Sequence, residues 1–310
     1  MAADQPLALP RWLQTRLEAE ASHFLFDGGP KPDFSRPAGE PALVPPDSVS
    51  WRVFKNPISL FIGGTSAVLL ELAEPRVRSG VWDHTSFRTD PVRRLQRTGL
   101  AAMMTVYGPK SEAEAMIARV RRLHARIAGE TPSGAAYRAD DPELLDWVHA
   151  TASFGFVEAY SRFVQPLSEA DVSRFYLEGE RTADLYGAAA APRSDEELRA
   201  FFDAMRPKLA PSPIIFEFLE IMRCAPILPR ASRPLQRLLV RAAADMLPGW
   251  ARALLELNAE WELRDWERRI VRGVGRLADR IPLAGSPLRS KRAAAWVCRK
   301  PICSRRAVDR

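Results

Sequence analysis

The sequence has few cysteines, and they do not form a pattern. Cys224, Cys298 and Cys303 are the only three among 310 residues. A small odd number without framework spacing argues against a secreted domain stapled by disulfides. The last two cysteines lack the second pair of ligands that a structural zinc site needs. Neither disulfide bonds nor a zinc finger is therefore expected.

Long apolar runs are also missing. No stretch reaches the ~20 consecutive apolar residues that a membrane-spanning helix needs. The first ten residues lack a basic start followed by an apolar run, so we expect no secretory signal peptide. These absences predict a soluble, cytoplasmic protein.

Outside one segment, the chain has no excess of either charge. It contains 45 basic and 38 acidic residues, and the segment 286–310 alone has eight Lys/Arg and one Asp. Nucleic-acid-binding proteins spread basic charge along a face of the fold, so we expect no nucleic-acid partner. We expect at most a weak contact of this basic segment with acidic membrane surfaces.

Apolar residues recur at helical spacing, and no segment shows the sustained alternation of apolar and polar residues that is typical of β-strands. We therefore predict an all-α fold with a single large helical domain over 58–282. Residues 1–57 are predicted to be an N-terminal helix (Arg11 to His23) followed by an irregular arm. Residues 283–310 are predicted to be a basic mobile tail.

Asp-Pro pairs mark two of the predicted helices. Asp90-Pro91 starts a helix to about Tyr107, and Asp141-Pro142 starts another to Pro166, because proline is favoured at the first helical position after a capping side chain. Between them, a capping box at Ser111 and Glu114 and a glycine at 129 predict a helix from Ser111 to Gly129.

The apolar stretch 58–73 is interrupted by Gly63-Gly64. The pair lacks the context of a phosphate-binding loop and suggests a close helix–helix or helix–cofactor contact, since glycine removes the Cβ from a crowded surface. Thr65 or Ser66 is the expected N-cap of a helix that Pro75 stops. A polar loop is expected over Gly80 to Thr89.

Three of the four histidines lie between Glu74 and Thr151. His124, with Val120 and Ile127, and His149, with Leu145 and Ala152, are predicted to point inward from helices. Such histidines either ligate a cofactor or are satisfied by a backbone carbonyl. Spacing alone favours the second interpretation.

Arg94 and Thr98 are four residues apart and so share one helix face. A guanidinium can hold a carboxylate in a forked pair while the hydroxyl donates nearby. An ordinary surface arginine beside a core-edge threonine is the alternative, and spacing alone favours it.

The stretch from about Ile62 to Gly187 resembles the catalytic domain shared by latex clearing proteins (rubber oxygenases) and the MpaB-type fungal oxygenase of the mycophenolic acid pathway. No single motif is specific, but their order and spacing together are. The motifs that carry the resemblance are Gly63-Gly64, Gly80-Val81, Asp83-His84-Thr85-Ser86-Phe87, Asp90-Pro91, Arg94-Leu95-Gln96-Arg97-Thr98, His124 with Gly129, and Trp147-Val148-His149-Ala150-Thr151.

The resemblance implies a buried pocket for haem b. His124 is its best equivalent of the proximal iron ligand, with His149 as second choice, and Arg94 and Thr98 match pocket residues. Arg97 stands where the rubber enzymes have a lysine that caps the distal side of the iron, and arginine stays protonated and cannot ligate iron.

Two further residues are candidates for catalytic roles through the same resemblance. Glu74 stands where many members have histidine, and its carboxylate either acts as a base near the site or faces solvent. His84 belongs to the Asp-His motif, although a loop histidine beside an acid is more often a solvated turn.

Three hypotheses for function remain at this stage. The resemblance implies a haem-dependent oxygenase that uses O₂ on an apolar substrate, for example an olefinic terpenoid or a lipid chain. The second hypothesis is a protein that binds haem or an apolar ligand without turnover, and the third is a helical structural protein without a cofactor. The sequence does not predict an oligomeric state.

Overall fold

Many of the helices begin where a capping side chain precedes a proline. In the computed structural model, which describes residues 33–34 and 36–281, this arrangement is found at Asn56-Pro57, Glu74-Pro75, Asp90-Pro91, Asp141-Pro142 and Ser212-Pro213. In each pair the first side chain accepts a hydrogen bond from a backbone N–H of the first turn, and proline lacks an N–H that would otherwise need a partner. The predicted starts at Asp90-Pro91 and Asp141-Pro142 are confirmed.

The described residues form twelve α-helices, three short 3₁₀ turns and one small sheet, which confirms the all-α prediction. The elements in chain order are α1 (Val49–Val53), α2 (Pro57–Glu71), α3 (Pro75–His84), α4 (Pro91–Tyr107), α5 (Lys110–His124), β1 (Ala128–Glu130), β2 (Ala136–Arg138), α6 (Pro142–Phe163), α7 (Glu169–Tyr186), α8 (Asp195–Met205), α9 (Pro213–Cys224), α10 (Arg233–Asp245), α11 (Gly249–Leu254) and α12 (Asp265–Asp279).

The centre of the fold is the crossing of α2 and α6, the most extensive helix–helix contact of the structure. The two backbones approach at Gly63 and Gly155. A Cβ added at Gly63 would lie 2.6 Å from the carbonyl oxygen of Gly155, and a Cβ at Gly155 would lie closer still to that of Gly63. The helix–helix contact predicted at Gly63-Gly64 is therefore present.

Helices α10 and α12 pack on the other side of this pair. Their contact with α2 and α6 is an apolar cluster that includes Ile62, Phe163, Leu239 and Val271. The buried Asn56 connects the same elements, because its side chain caps α2 and its amide nitrogen donates to Gly275 O at 2.9 Å.

The expected start of α2 was wrong. The helix starts at Pro57 and continues through Gly63-Gly64, so neither Thr65 nor Ser66 is an N-cap. The Thr65 hydroxyl donates to Phe61 O one turn earlier, as it does in a helix interior. Packing against α6 stabilises the helix across the glycines, which local propensity alone disfavours.

Helices α3 and α5 also differ from expectation. Helix α3 extends to His84, so the first half of the loop predicted over Gly80 to Thr89 is helical and only the second half, 85–89, is not. Helix α5 has no side-chain cap, because its N-cap residue is Pro109. Ser111 lies inside the helix, where its N and Oγ donate to the Glu40 carboxylate, so the predicted capping box is wrong. Helix α5 ends at His124, five residues before Gly129.

A short hairpin follows α5 and was missed by the sequence analysis. Strands β1 and β2 are antiparallel, with Gly129 opposite Tyr137. The strands have three residues each, too few for alternation to be recognisable in the sequence.

The described part of the N-terminal arm shares the main core. Val44, Trp51 and Val53 are buried there, and the Tyr107 hydroxyl of α4 donates to Trp51 O at 3.0 Å. The helix predicted at 11–23 and the tail predicted at 283–310 lie outside the described residues. Among those that are described, no single helix is long and apolar enough to cross a membrane; only α2 and α3 taken together, bent by 114°, reach that length and composition.

Gly63→Ala is expected to lower the free energy of unfolding by about 1–3 kcal/mol, since overpacking of a tight contact costs that much. Urea denaturation measures the change. Gly64→Ala is the matched control on the same helix, because a Cβ there would lie at an ordinary contact distance of 3.9 Å from Phe156 Cε1. This variant should have a free energy of unfolding equal to or higher than that of the wild type. Equal stability of the two variants would show that the crossing tolerates a Cβ.

Candidate functional site

A stripe of half-buried residues runs along the two central helices. On α2 it consists of Phe61, Gly64 and Val68, and on α6 of Val148, Ala152 and Phe156, although neighbouring positions of both helices are buried. We call these six residues the apolar stripe. The two parts meet where Gly64 faces Phe156. Two core helices thus keep one apolar face partly accessible.

Helix α4 contributes Arg94 and Thr98, which lie on one face as predicted. The Arg94 guanidinium donates to the Thr98 hydroxyl, which itself donates to Arg94 O at 3.0 Å. Burial lowers the pKa of Arg94, and the positive charge of the exposed Arg97 lowers it further, whereas the Glu71 carboxylate opposes the shift. Arg94 is thus a partly desolvated cation close to a carboxylate.

Glu71, at the end of α2, was not predicted as a site residue. It continues the line of Phe61, Gly64 and Val68 at helical spacing and is half-buried. Burial raises its pKa to about 7, and the Arg94 charge opposes this rise. The sequence signal that could have identified Glu71 is a carboxylate at the end of an otherwise apolar helix face.

His124 is the last residue of α5 and not, as predicted, a residue in mid-helix. Its Nδ1 is buried and has no hydrogen-bond partner within residues 33–34 and 36–281. Burial lowers the pKa of His124, Arg94 lowers it further, and Asp140 opposes the shift. The structure therefore brings Arg94, Thr98, Glu71 and His124 into one electrostatic neighbourhood.

His149 lies in a different packing environment. A Cβ at Gly179 of α7 would lie 3.5 Å from its Nε2, so the imidazole packs against that helix. Burial alone lowers the pKa of His149 to about 4. It borders a cavity of about 10 Å³ shared with Glu180 and Ala183, which has room for at most about one water molecule.

The two remaining candidates have other partners. Glu74 is buried rather than exposed to solvent: it accepts from Val77 N at 2.8 Å as the cap of α3 and from Arg76 Nε at 2.7 Å. His84 is exposed at the end of α3, and its Nε2 lies 3.1 Å from the hydroxyl of Tyr137 in the hairpin. Neither has a contact with Arg94 or His124 in the described structure.

The donor set of the site fits a haem. Within the described part of the chain, no group of three or more His, Cys, Asp or Glu side chains could hold a bare metal ion. A haem iron needs only one imidazole in addition to its porphyrin, and an unpartnered imidazole nitrogen is present at His124. Arg94 and Thr98 supply donors of the kind that carboxylates require.

The structure also contains a wider surface cleft, of about 650 Å³. It is lined by Arg241, Glu262, Leu263 and other residues of the α10 and α12 region, and none of the predicted site residues borders it. The cleft therefore does not contribute to the candidate site.

The low pKa of His149 predicts that the stability of the protein depends on pH. Between pH 6.5 and 4 the unfolded chain binds a proton at His149 that the folded protein does not bind, so the free energy of unfolding should fall as the pH falls through this window. In His149→Gln, the loss between about pH 7 and about pH 4.5, measured by urea unfolding, should be smaller than in the wild type. An equal loss in both proteins would assign the acid sensitivity to other groups.

Of the three comparisons with known proteins, one finds a family. No curated protein and no solved structure gives a significant match. A family model does match, over residues 51–280, and its description is "ER-bound oxygenase mpaB/B'/Rubber oxygenase, catalytic domain". The match includes α2, α4, α5 and α6, which carry the apolar stripe, Arg94 and His124. The chain therefore belongs to the MpaB and rubber oxygenase catalytic domain family.

Proposed function

We propose that the protein is a haem b-dependent oxygenase that uses O₂ on an apolar substrate, an olefinic terpenoid or a lipid chain. The observation that carries the proposal is the buried Nδ1 of His124, which has no partner among the described residues and lies in the same neighbourhood as Arg94. A buried polar atom without a partner is costly unless another group satisfies it. Membership of an oxygenase family supports the reaction class.

Each residue of the site has a role in this proposal. His124 would hold the haem iron, since its lowered pKa favours the neutral imidazole that can coordinate a metal. Arg94 and Thr98 would hold a haem propionate through charge-assisted hydrogen bonds. Bound haem b would supply the iron at which O₂ reacts.

The chain's own residues also create the environment for the substrate. The apolar stripe binds an apolar chain by removing it from water and excludes solvent from the site. Glu71, with a pKa of about 7, is partly protonated at neutral pH and can accept or release a proton there. Arg97 acts through its positive charge, which lowers the pKa of Arg94.

His124→Ala is expected to purify folded and without a normal Soret band, because the imidazole that would hold the haem iron is gone. His149→Ala should keep haem, since His149 packs against α7. Ultraviolet–visible spectra of haem-reconstituted protein, with circular dichroism as the folding check, measure both effects. His84→Ala, on the exposed end of α3, is the control. Loss of haem with His149→Ala and retention with His124→Ala would move the ligand to α6.

Arg94→Ala should weaken haem affinity roughly 10- to 100-fold without unfolding the protein, because a charged hydrogen bond contributes about 1.5–3 kcal/mol. Haem transfer to apomyoglobin measures the affinity. Arg93→Ala removes an exposed arginine from the same turn of α4 and should leave affinity unchanged. Equal affinity of both variants would place Arg94 outside the haem site.

Catalytic turnover distinguishes an oxygenase from a protein that only carries haem. O₂ consumption coupled to a new carbonyl or hydroxyl product, measured with squalene and with unsaturated fatty acids as probes, is expected for the holoprotein. A protein that shows a Soret band without O₂-dependent product would instead be a haem-binding protein without turnover.

A further inference from the structure

Helix α12 exposes a row of large apolar side chains. Trp266 is 53% exposed, Ile270 44% and Leu277 52%, and they account for three of the six exposed large hydrophobic residues in the described structure. Their spacing of four and seven residues places them along one side of the helix, about 16 Å from end to end. We call them the apolar row.

The buried side of α12 is a different one. Glu267, Val271 and Gly275 face the core, and Gly275 lies so close to Phe163 O that a Cβ would clash. The helix is therefore held against the body of the protein, and the apolar row faces away from that contact.

Arginines run beside the apolar row at positions 269, 272, 276 and 280. We call them the basic row. The three acidic residues of the helix already have basic partners: Asp265 pairs with Arg268, Glu267 with Arg241 and Asp279 with Lys55. The acids of α12 are thus all paired with other basic side chains, and the basic row makes the surface next to the apolar row positively charged.

We propose that α12 is an interfacial helix through which the protein docks on an anionic lipid surface. A row of Trp, Ile and Leu beside arginines is the pattern of helices that lie in the plane of a membrane, with tryptophan at the level of the headgroups. Three side chains cover far less than the ~800 Å² per partner of a standard protein interface, which favours lipid over a protein partner.

The sequence beyond α12 has the same sign of charge. Residues 286–310 contain eight Lys/Arg and one Asp. Their charge repels the basic row, so this segment is a poor candidate to cover it, but it complements the same anionic surface.

Vesicle flotation of the full chain tests the proposal. The wild type should float with phosphatidylcholine vesicles that contain phosphatidylserine and much less with pure phosphatidylcholine. The triple variant Trp266→Ser, Ile270→Ser, Leu277→Ser should lose about tenfold or more in partitioning, because the side chains that insert are gone. The double variant Leu177→Ser, Phe216→Ser removes exposed apolar residues from α7 and α9 and should float like the wild type.

The proposal would be overturned by no flotation of the wild type, by equal flotation of the triple variant, by equal binding to both kinds of vesicle, or by binding lost only when residues 283–310 are removed. A change from dimer to monomer in the triple variant, with vesicle binding unaltered, would also overturn it and identify a second copy of the chain as the occupant. Matching circular dichroism of the variants confirms that each comparison is made on folded protein.

Discussion

The close approach of α2 and α6 at Gly63 and Gly155 is the constraint on which the rest of the structure depends. Each glycine faces the other's backbone carbonyl, so no larger residue fits at either position without a shift of the helices. The approach holds two largely apolar helices together along their length. The same pair packs against α10 and α12 through the cluster of Ile62, Leu239 and Val271, and it also carries the half-buried apolar stripe.

The charged end of this stripe shows how burial alters ionisable groups. Loss of water disfavours the charged form of each of them, which raises the pKa of Glu71 and lowers that of Arg94 and His124. The Glu71 and Arg94 charges oppose these shifts for one another, while Arg94 adds to the shift of His124. Titratable groups with shifted pKa values gather at functional sites more often than elsewhere, which is the reason to place the chemistry at this end of α2.

The two inward histidines differ because of where their helices end and what packs on them. His124 closes α5, and its Nδ1 lacks a partner in the described structure. His149 lies within α6 against Gly179, where burial alone accounts for its low pKa. The family match covers both residues and so does not choose between them. We propose His124 because its Nδ1 is the buried ring nitrogen left without a partner among the described residues.

The sequence by itself determined the all-α class, the family, the helix starts at Asp90-Pro91 and Asp141-Pro142, and the pairing of Arg94 with Thr98, because caps, prolines and residues one turn apart act locally. Tertiary structure decided the rest. Glycines 63 and 64 stay helical because α6 packs on them, and Ser111 binds Glu40 rather than its own helix. Glu74 became a cap, and Glu71 joined the site, because each depends on partners from other segments. Contacts between distant segments leave no periodic pattern in the sequence, because the burial of a side chain and the charges near it are set only when the chain is packed.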